Sequence, residues 1–144
     1  MRATVPVSLL TAVGVQLACQ GFKVVFYSLR ERRLALSWFV SAGGMPSAHS
    51  AFVSALAVSV GLWSGFASDL FAVATVFSII IIYDAWRLRG AVEHHARLLA
   101  ELTARRRGAP AINQRLGHTL PQLAAGIVVG GAAAACVWLL LRAA

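Results

Sequence analysis

Four apolar stretches, each close to the length a bilayer demands, occupy most of this 144-residue chain, and clusters of arginine separate them. A hydrocarbon core needs about 20 consecutive apolar residues per spanning helix, with every backbone polar group satisfied inside the helix. The stretches lie at approximately 5–27, 47–66, 70–86 and 120–141. With 59% hydrophobic and only 12% charged residues, the composition excludes a soluble or secreted domain. The chain therefore reads as a single membrane domain, an all-α polytopic helix bundle with about four transmembrane helices. Met1 and Arg2 ahead of an apolar run have the look of a leader. The run continues past Cys19, however, which favours an uncleaved first helix.

Between the third and fourth stretches, residues 91–104 show a helical period of mixed character. Val92, Leu99 and Leu102 alternate with the pairs Glu93/Arg97 and Glu101/Arg105, predicting an amphipathic surface helix. Gly126 and Gly130 form a small-xxx-small pair in the last span, and Ser50, Ser54, Gly61 and Gly65 give the second span a small-residue face. Both patterns predict close helix packing.

A formal charge of +8 would suggest nucleic acid in a soluble protein. Here the arginines lie between spans without interleaved aromatic stacking positions, so no nucleic-acid partner is expected. Ten of the twelve arginines fall after the first and third spans. The positive-inside rule then puts both long basic loops in the cytoplasm and both termini outside, in a cell inner membrane. Membrane lipids are the expected partners. Cys19 and Cys136 sit within apolar runs as small hydrophobes, and no disulfide, metal or cofactor is implied.

This topology gathers chemistry at one end. Lys23, Ser47, His49, Asp84, Arg87, Arg89 and His118 all fall near the cytoplasmic face. Ser47 and His49 open one helix and His118 precedes another, so two helix N-termini converge where an anion would bind. A lysine and an arginine suit phosphate oxygens, and histidines suit nucleophilic and acid roles near neutral pH. Taken singly, each residue also has a plainer role: Lys23 snorkelling to headgroups, Asp84 neutralising Arg87, and His94 and His95 as surface residues.

In order, Gln20-Gly21-Phe22-Lys23, Gly43-Gly44-Met45-Pro46-Ser47-Ala48-His49-Ser50-Ala51, Tyr83-Asp84-Ala85 and Leu116-Gly117-His118-Thr119 resemble the divergent branch of the type 2 phosphatidic acid phosphatase superfamily. Proteins of this branch are also described as related to acid phosphatase and vanadium-dependent haloperoxidase. The resemblance covers nearly the whole chain, and the Gly43–Ala51 stretch is its specific part. It implies a metal-independent phosphohistidine mechanism with His118 as nucleophile, His49 as general acid, and Lys23 and Ser47 on phosphate oxygens. Arg89, or else Arg115, would add positive charge, with Asp84, Gln122 and Arg30 in support. Arg30 matches the first-motif spacing from Lys23, although Glu31 follows where a proline is typical.

Several positions depart from the pattern. Gln122 stands where a carboxylate would orient the nucleophile, Ile112 where an arginine is usual, and His95 where a glutamine is usual. The run Arg87-Leu88-Arg89-Gly90 replaces a glycine followed by two arginines. Two readings result: a phosphatase-like protein acting on a lipid or isoprenoid phosphate, or a degenerate member serving as a structural or assembly subunit of a larger membrane protein complex.

Overall fold

The computed structural model describes residues 6–41, 43–103 and 117–143. Its elements, in chain order, are α1 (Val7–Glu31), a short 3-10 turn (Leu36–Phe39), α2 (Ala48–Ser64), α3 (Asp69–Thr103) and α4 (Leu120–Ala143). The expected basic loop Arg105–Arg107, with Ile112 and Arg115, lies outside the described residues.

Local chemistry sets the helix boundaries. α1 stops at Arg32, which adopts a left-handed cap (φ 52°) and donates its N–H to the Ser28 carbonyl. α2 starts behind Pro46 with Ser47 as its N-cap, the Ser47 hydroxyl accepting from Ser50 N–H at 3.4 Å. Pro121 occupies the first turn of α4, where its missing N–H costs nothing.

The third helix departs from the sequence expectation. A span ending near Trp86 and a separate surface helix over 91–104 are replaced by one uninterrupted helix of 35 residues, about 52 Å long at about 1.5 Å per residue. Gly90 weakens a helix by only about 1 kcal/mol and does not end one without a left-handed cap. No proline and no serine, threonine, asparagine or aspartate precedes Ala91 to start a new helix.

α2 is the central helix, packing against α1, α3 and α4. Apart from Val53, its buried positions are small, among them Ala48, Ser50, Ala51, Ser54, Ala55 and Ser59. The large apolar side chains point outward, among them Leu70, Val73, Phe77 and Ile80 of α3 and Val128 and Leu140 of α4. Small inside and large outside is the distribution of a bundle whose solvent is lipid, where backbones approach closely because water supplies no driving force between helices. α1, α3 and α4 are long and apolar enough to span a membrane, while α2, with 17 residues, is shorter at about 26 Å. The chain is an all-helical membrane bundle.

The α2–α4 crossing is the tightest contact. A Cβ added at Gly126 would collide with Ser50 Oγ and the Ser47 carbonyl, and one at Gly130 with the Ala51 carbonyl. Ser47 N–H donates to the Gln122 carbonyl at 3.1 Å, and Ser50 Oγ lies 3.2 Å from the Leu123 carbonyl. α3 is tied in by Ser78 Oγ donating to the Val53 carbonyl at 3.0 Å. Gly130→Val should therefore destabilise the bundle by about 1–3 kcal/mol or more, because the obstacle is backbone. Gly131→Ala, whose Cβ would sit 3.7 Å from Val58, should keep stability or raise it by up to about 1 kcal/mol, the helix preference of alanine over glycine. Chemical unfolding in detergent followed by circular dichroism measures both, and equal effects would contradict the crossing described.

Candidate functional site

Hydrogen bonds fix one end of the bundle as a junction of four segments. The α2 N-terminus meets the α4 N-terminus through Ser47 N–H and the Gln122 carbonyl. The strand of chain before α4 is held to α3 by His118 N–H donating to the Ala85 carbonyl at 3.3 Å. Gly117 N–H donates to Glu93 Oε2 at 2.8 Å. Gly117 also sits back to back with Gly90, since a Cβ on Gly117 would approach Gly90 Cα at 3.0 Å. Gly90 thus lets the chain before α4 lie directly on α3.

The two histidines meet at this junction. Their ring centroids are 6.5 Å apart at an interplanar angle of 62°. His118 is buried and His49 half-buried, and His49 Nδ1 has no hydrogen-bond partner among the described residues. The ionisable groups near enough for their fields to reach the His49 ring are Arg89, His118, Lys23 and Asp84. Arg30 is not among them: it stands exposed in the last turn of α1, about 10 Å along the axis from Lys23.

Gln122 does two jobs with one atom. Its Oε1 accepts the Thr119 N–H at 3.1 Å, as a residue in the third helical position does in a capping box, and lies 3.1 Å from His118 Nδ1. A backbone N–H can only donate, so the amide oxygen faces inward and the amide orientation is fixed. An amide oxygen can only accept, so His118 carries a proton on Nδ1, and in the neutral ring Nε2 is then the nitrogen with the lone pair. Orientation and tautomer are those a carboxylate would impose. What the amide does not supply is negative charge to stabilise an imidazolium.

Lys23 is fully buried. Rather than reaching headgroups, its ammonium turns inward and donates to the carbonyls of Ser41 and Gly43, each at 3.2 Å. Those two bonds bind the loop before α2 to α1. Gly44, at φ +91°, lets that loop pass: a Cβ there would meet Trp38 at 3.0 Å and the Lys23 stem at 3.3 Å. Ser47 is likewise fully buried beneath the loop. Asp84 pairs with Arg89 (Nε to Oδ2, 3.0 Å), not with Arg87, which lies over the Trp86 ring.

A cavity of about 410 Å³ opens over the junction. His118, Thr119 and Gln122 form one wall, the stacked rings of Tyr27 and Trp38 (3.6 Å between centroids) another, and Glu93 with Arg97 a third. Lys23, Ser47 and His49 are not on its lining. Tyr27, Trp38, Gly90 and Glu93 were not legible as site residues from sequence. Glu93 and Arg97 do form the expected helical ion pair, but periodicity cannot reveal that the same carboxylate holds Gly117. Among the described residues, no three His, Cys, Asp or Glu side chains converge as a metal site.

The profile of the Divergent PAP2 family matches residues 6–133. The chain belongs to this family. Within it, the Lys23 segment, the Gly43–Ala51 loop and the Gly117–Thr119 segment are the parts that α1, α2 and α4 bring to one end. A relative described as "Uncharacterized membrane protein YuiD" of Bacillus subtilis (strain 168) is 37% identical over 94 residues, covering 65% of this chain and 60% of the relative. The match thus spans less than two thirds of that relative's length. No solved structure matches the chain.

The Gln122 contact is directly checkable. Nitrogen NMR of histidine-labelled protein should show His118 as a single tautomer protonated at Nδ1, and Gln122→Leu should convert it to a mixture. An Nε2-protonated ring in the unmodified protein would contradict the assignment.

Proposed function

We propose that this member of the divergent PAP2 family is a phosphatase-like integral membrane protein, cleaving a lipid or isoprenoid phosphate through a phosphohistidine on His118. The observation that carries the reading is the His118 ring held by Gln122, with its centroid 6.5 Å from that of the His49 ring. An in-line displacement needs about 3–3.5 Å between attacking atom and phosphorus, and about 2.6–3.2 Å between leaving oxygen and proton donor. The breaking P–O bond lies between these two gaps, so the reacting nitrogens stand further apart than their sum, and rings with centroids 6.5 Å apart are near enough to face one phosphate together.

In the proposed reaction, His118 Nε2 attacks phosphorus and a P–N bond forms. The P–O bond to the lipid breaks as protonated His49 gives its proton to the leaving oxygen. Water then attacks the phosphohistidine, His49 takes the water's proton, and the P–N bond breaks to release phosphate. Ser47 spends its hydroxyl oxygen on Ser50 N–H, leaving its O–H for a phosphate oxygen, which must displace the covering groups to reach this buried residue and Lys23. Lys23 has two of its three N–H groups on carbonyls and one left for the same purpose. Arg89 adds field at the pentavalent transition state, and Asp84 holds the Arg89 guanidinium in place. The cavity's exposure at one end of the bundle suits an amphiphile that keeps its tails in lipid. The arginine distribution supports a cytoplasmic orientation for this end, at the inner membrane.

Two observations favour the second reading, a structural or assembly subunit of a larger membrane complex. Gln122 brings no charge to His118, and the Lys23 ammonium already holds the loop as a buried tie.

Purified protein in vesicles, given phosphatidate and isoprenoid phosphates, separates the readings. The phosphatase reading expects phosphate release in inverted but not right-side-out vesicles. His118→Ala should lower it by at least about 10³-fold and His49→Ala by about 10²–10⁴-fold. Gln122→Glu should raise it by more than about tenfold, because a carboxylate restores the missing charge. No release from the unmodified protein in either orientation would favour the structural role.

A further inference from the structure

Exposed aromatic residues mark two levels on the bundle. Trp63 and Phe66 stand where α2 turns into α3, and Tyr83 and Trp86 stand further along α3. Tyrosine and tryptophan collect at the two membrane–water interfaces. From Asp69 to Trp86 α3 rises about 27 Å, the scale of the hydrocarbon core. Arg87, stacked on Trp86, begins the polar side.

Beyond that level α3 continues to Thr103, about 25 Å further. Sharp bends arise at proline, at Gly/Ser pairs or at π-bulges, and this helix runs unbroken with Gly90 alone. The extension therefore projects away from the bilayer instead of lying along it. One side of it, with Ala96, is buried. The adjacent side shows Leu88 (61% exposed), Leu99 (53%) and Leu102 (78%). Helical spacing puts these three on the same stripe as the exposed Leu70, Val73 and Phe77. Lipid covers the stripe within the bilayer. Past Trp86 no apolar solvent remains to cover it.

We propose that this stripe is the contact between two copies of the chain, packed as a parallel pair along α3. Copies inserted in one membrane share one orientation, so a two-fold axis normal to the bilayer sets the two α3 helices parallel and brings each stripe residue against its own counterpart. The stripe is about 50 Å long and about 10 Å wide, which gives about 500 Å² per copy and about 1,000 Å² in total. That is the lower bound of a specific interface. Shared orientation and confinement to the membrane supply the effective concentration such an area needs. Charge does not oppose the pairing: Asp84, the carboxylate on the stripe, is neutralised by Arg89 of its own helix, and His95, which the same spacing places between Leu88 and Leu99, carries no fixed charge. The pair should form in membranes and separate on dilution in detergent. None of this depends on whether His118 turns over.

Disulfide formation in native membranes tests it, using full-length protein in which Cys19 and Cys136 are replaced by alanine. Leu99→Cys, well outside the bilayer, should give a disulfide-linked dimer of twice the chain mass, at about tenfold the yield of Glu101→Cys, which lies off the stripe. Adding Leu88→Glu should lower the Leu99→Cys yield several-fold, with circular dichroism verifying intact helices. Equal yields at both positions, no dimer at Leu99→Cys, or an adduct to a protein of different mass would each overturn the proposal.

Discussion

The close approach of α2 and α4 is the contact on which the rest of the arrangement depends. Gly126 and Gly130 remove the side chains that would hold the two backbones apart, and the Ser47 N–H reaches the Gln122 carbonyl only because they do. Two helix N-termini are thereby set side by side, each opening with a histidine nearby. Like-oriented dipoles in contact raise positive potential at that end, a cost in the empty bundle and a gain once an anion arrives. The same contact that stabilises the bundle thus prepares its chemistry.

Around that contact the remaining segments act as ties. Lys23 binds the loop before α2 to α1 through two carbonyls, and Glu93 with the Ala85 carbonyl binds the chain before α4 to α3. In a low-dielectric setting such charge-assisted bonds are strong, and an unmade one is costly. The ties from α3 end on His118 and its neighbour Gly117, and the Lys23 tie ends on the loop that leads into His49. Rigidity at the histidines therefore comes from side chains on helices that carry neither of them.

Much of this was legible in the sequence, for identifiable reasons. The four apolar helices follow from hydropathy, the α2 cap from Pro46 and Ser47, and the close crossing from Gly126 and Gly130. The gathering of Lys23, His49, Asp84, Arg89 and His118 follows from counting spans. The continuous α3 was missed because a polar stretch with one glycine resembles a boundary, whereas only a cap or a proline makes one. Arg30 matches by spacing alone, and seven residues keep the helix face of Lys23 but carry it about 10 Å further along the axis, to the exposed last turn of α1. Glu93 is hidden because its partner Gly117 lies far off in sequence, and the Tyr27–Trp38 stack because it forms only where the chain folds back after α1. Gln122, which looked like a defect, keeps the geometric half of a carboxylate's role and gives up the electrostatic half.

The central claim is that His118 presents Nε2 to phosphorus, and a covalent trap addresses it most directly. Membranes incubated briefly with a radiolabelled lipid or isoprenoid phosphate and quenched in alkali should yield an acid-labile phosphoryl group on the peptide containing His118. The label should persist longer in His49→Ala, which lacks the base for hydrolysis, and vanish in His118→Ala. A label on any other residue, or none in the presence of phosphate release, would contradict the account.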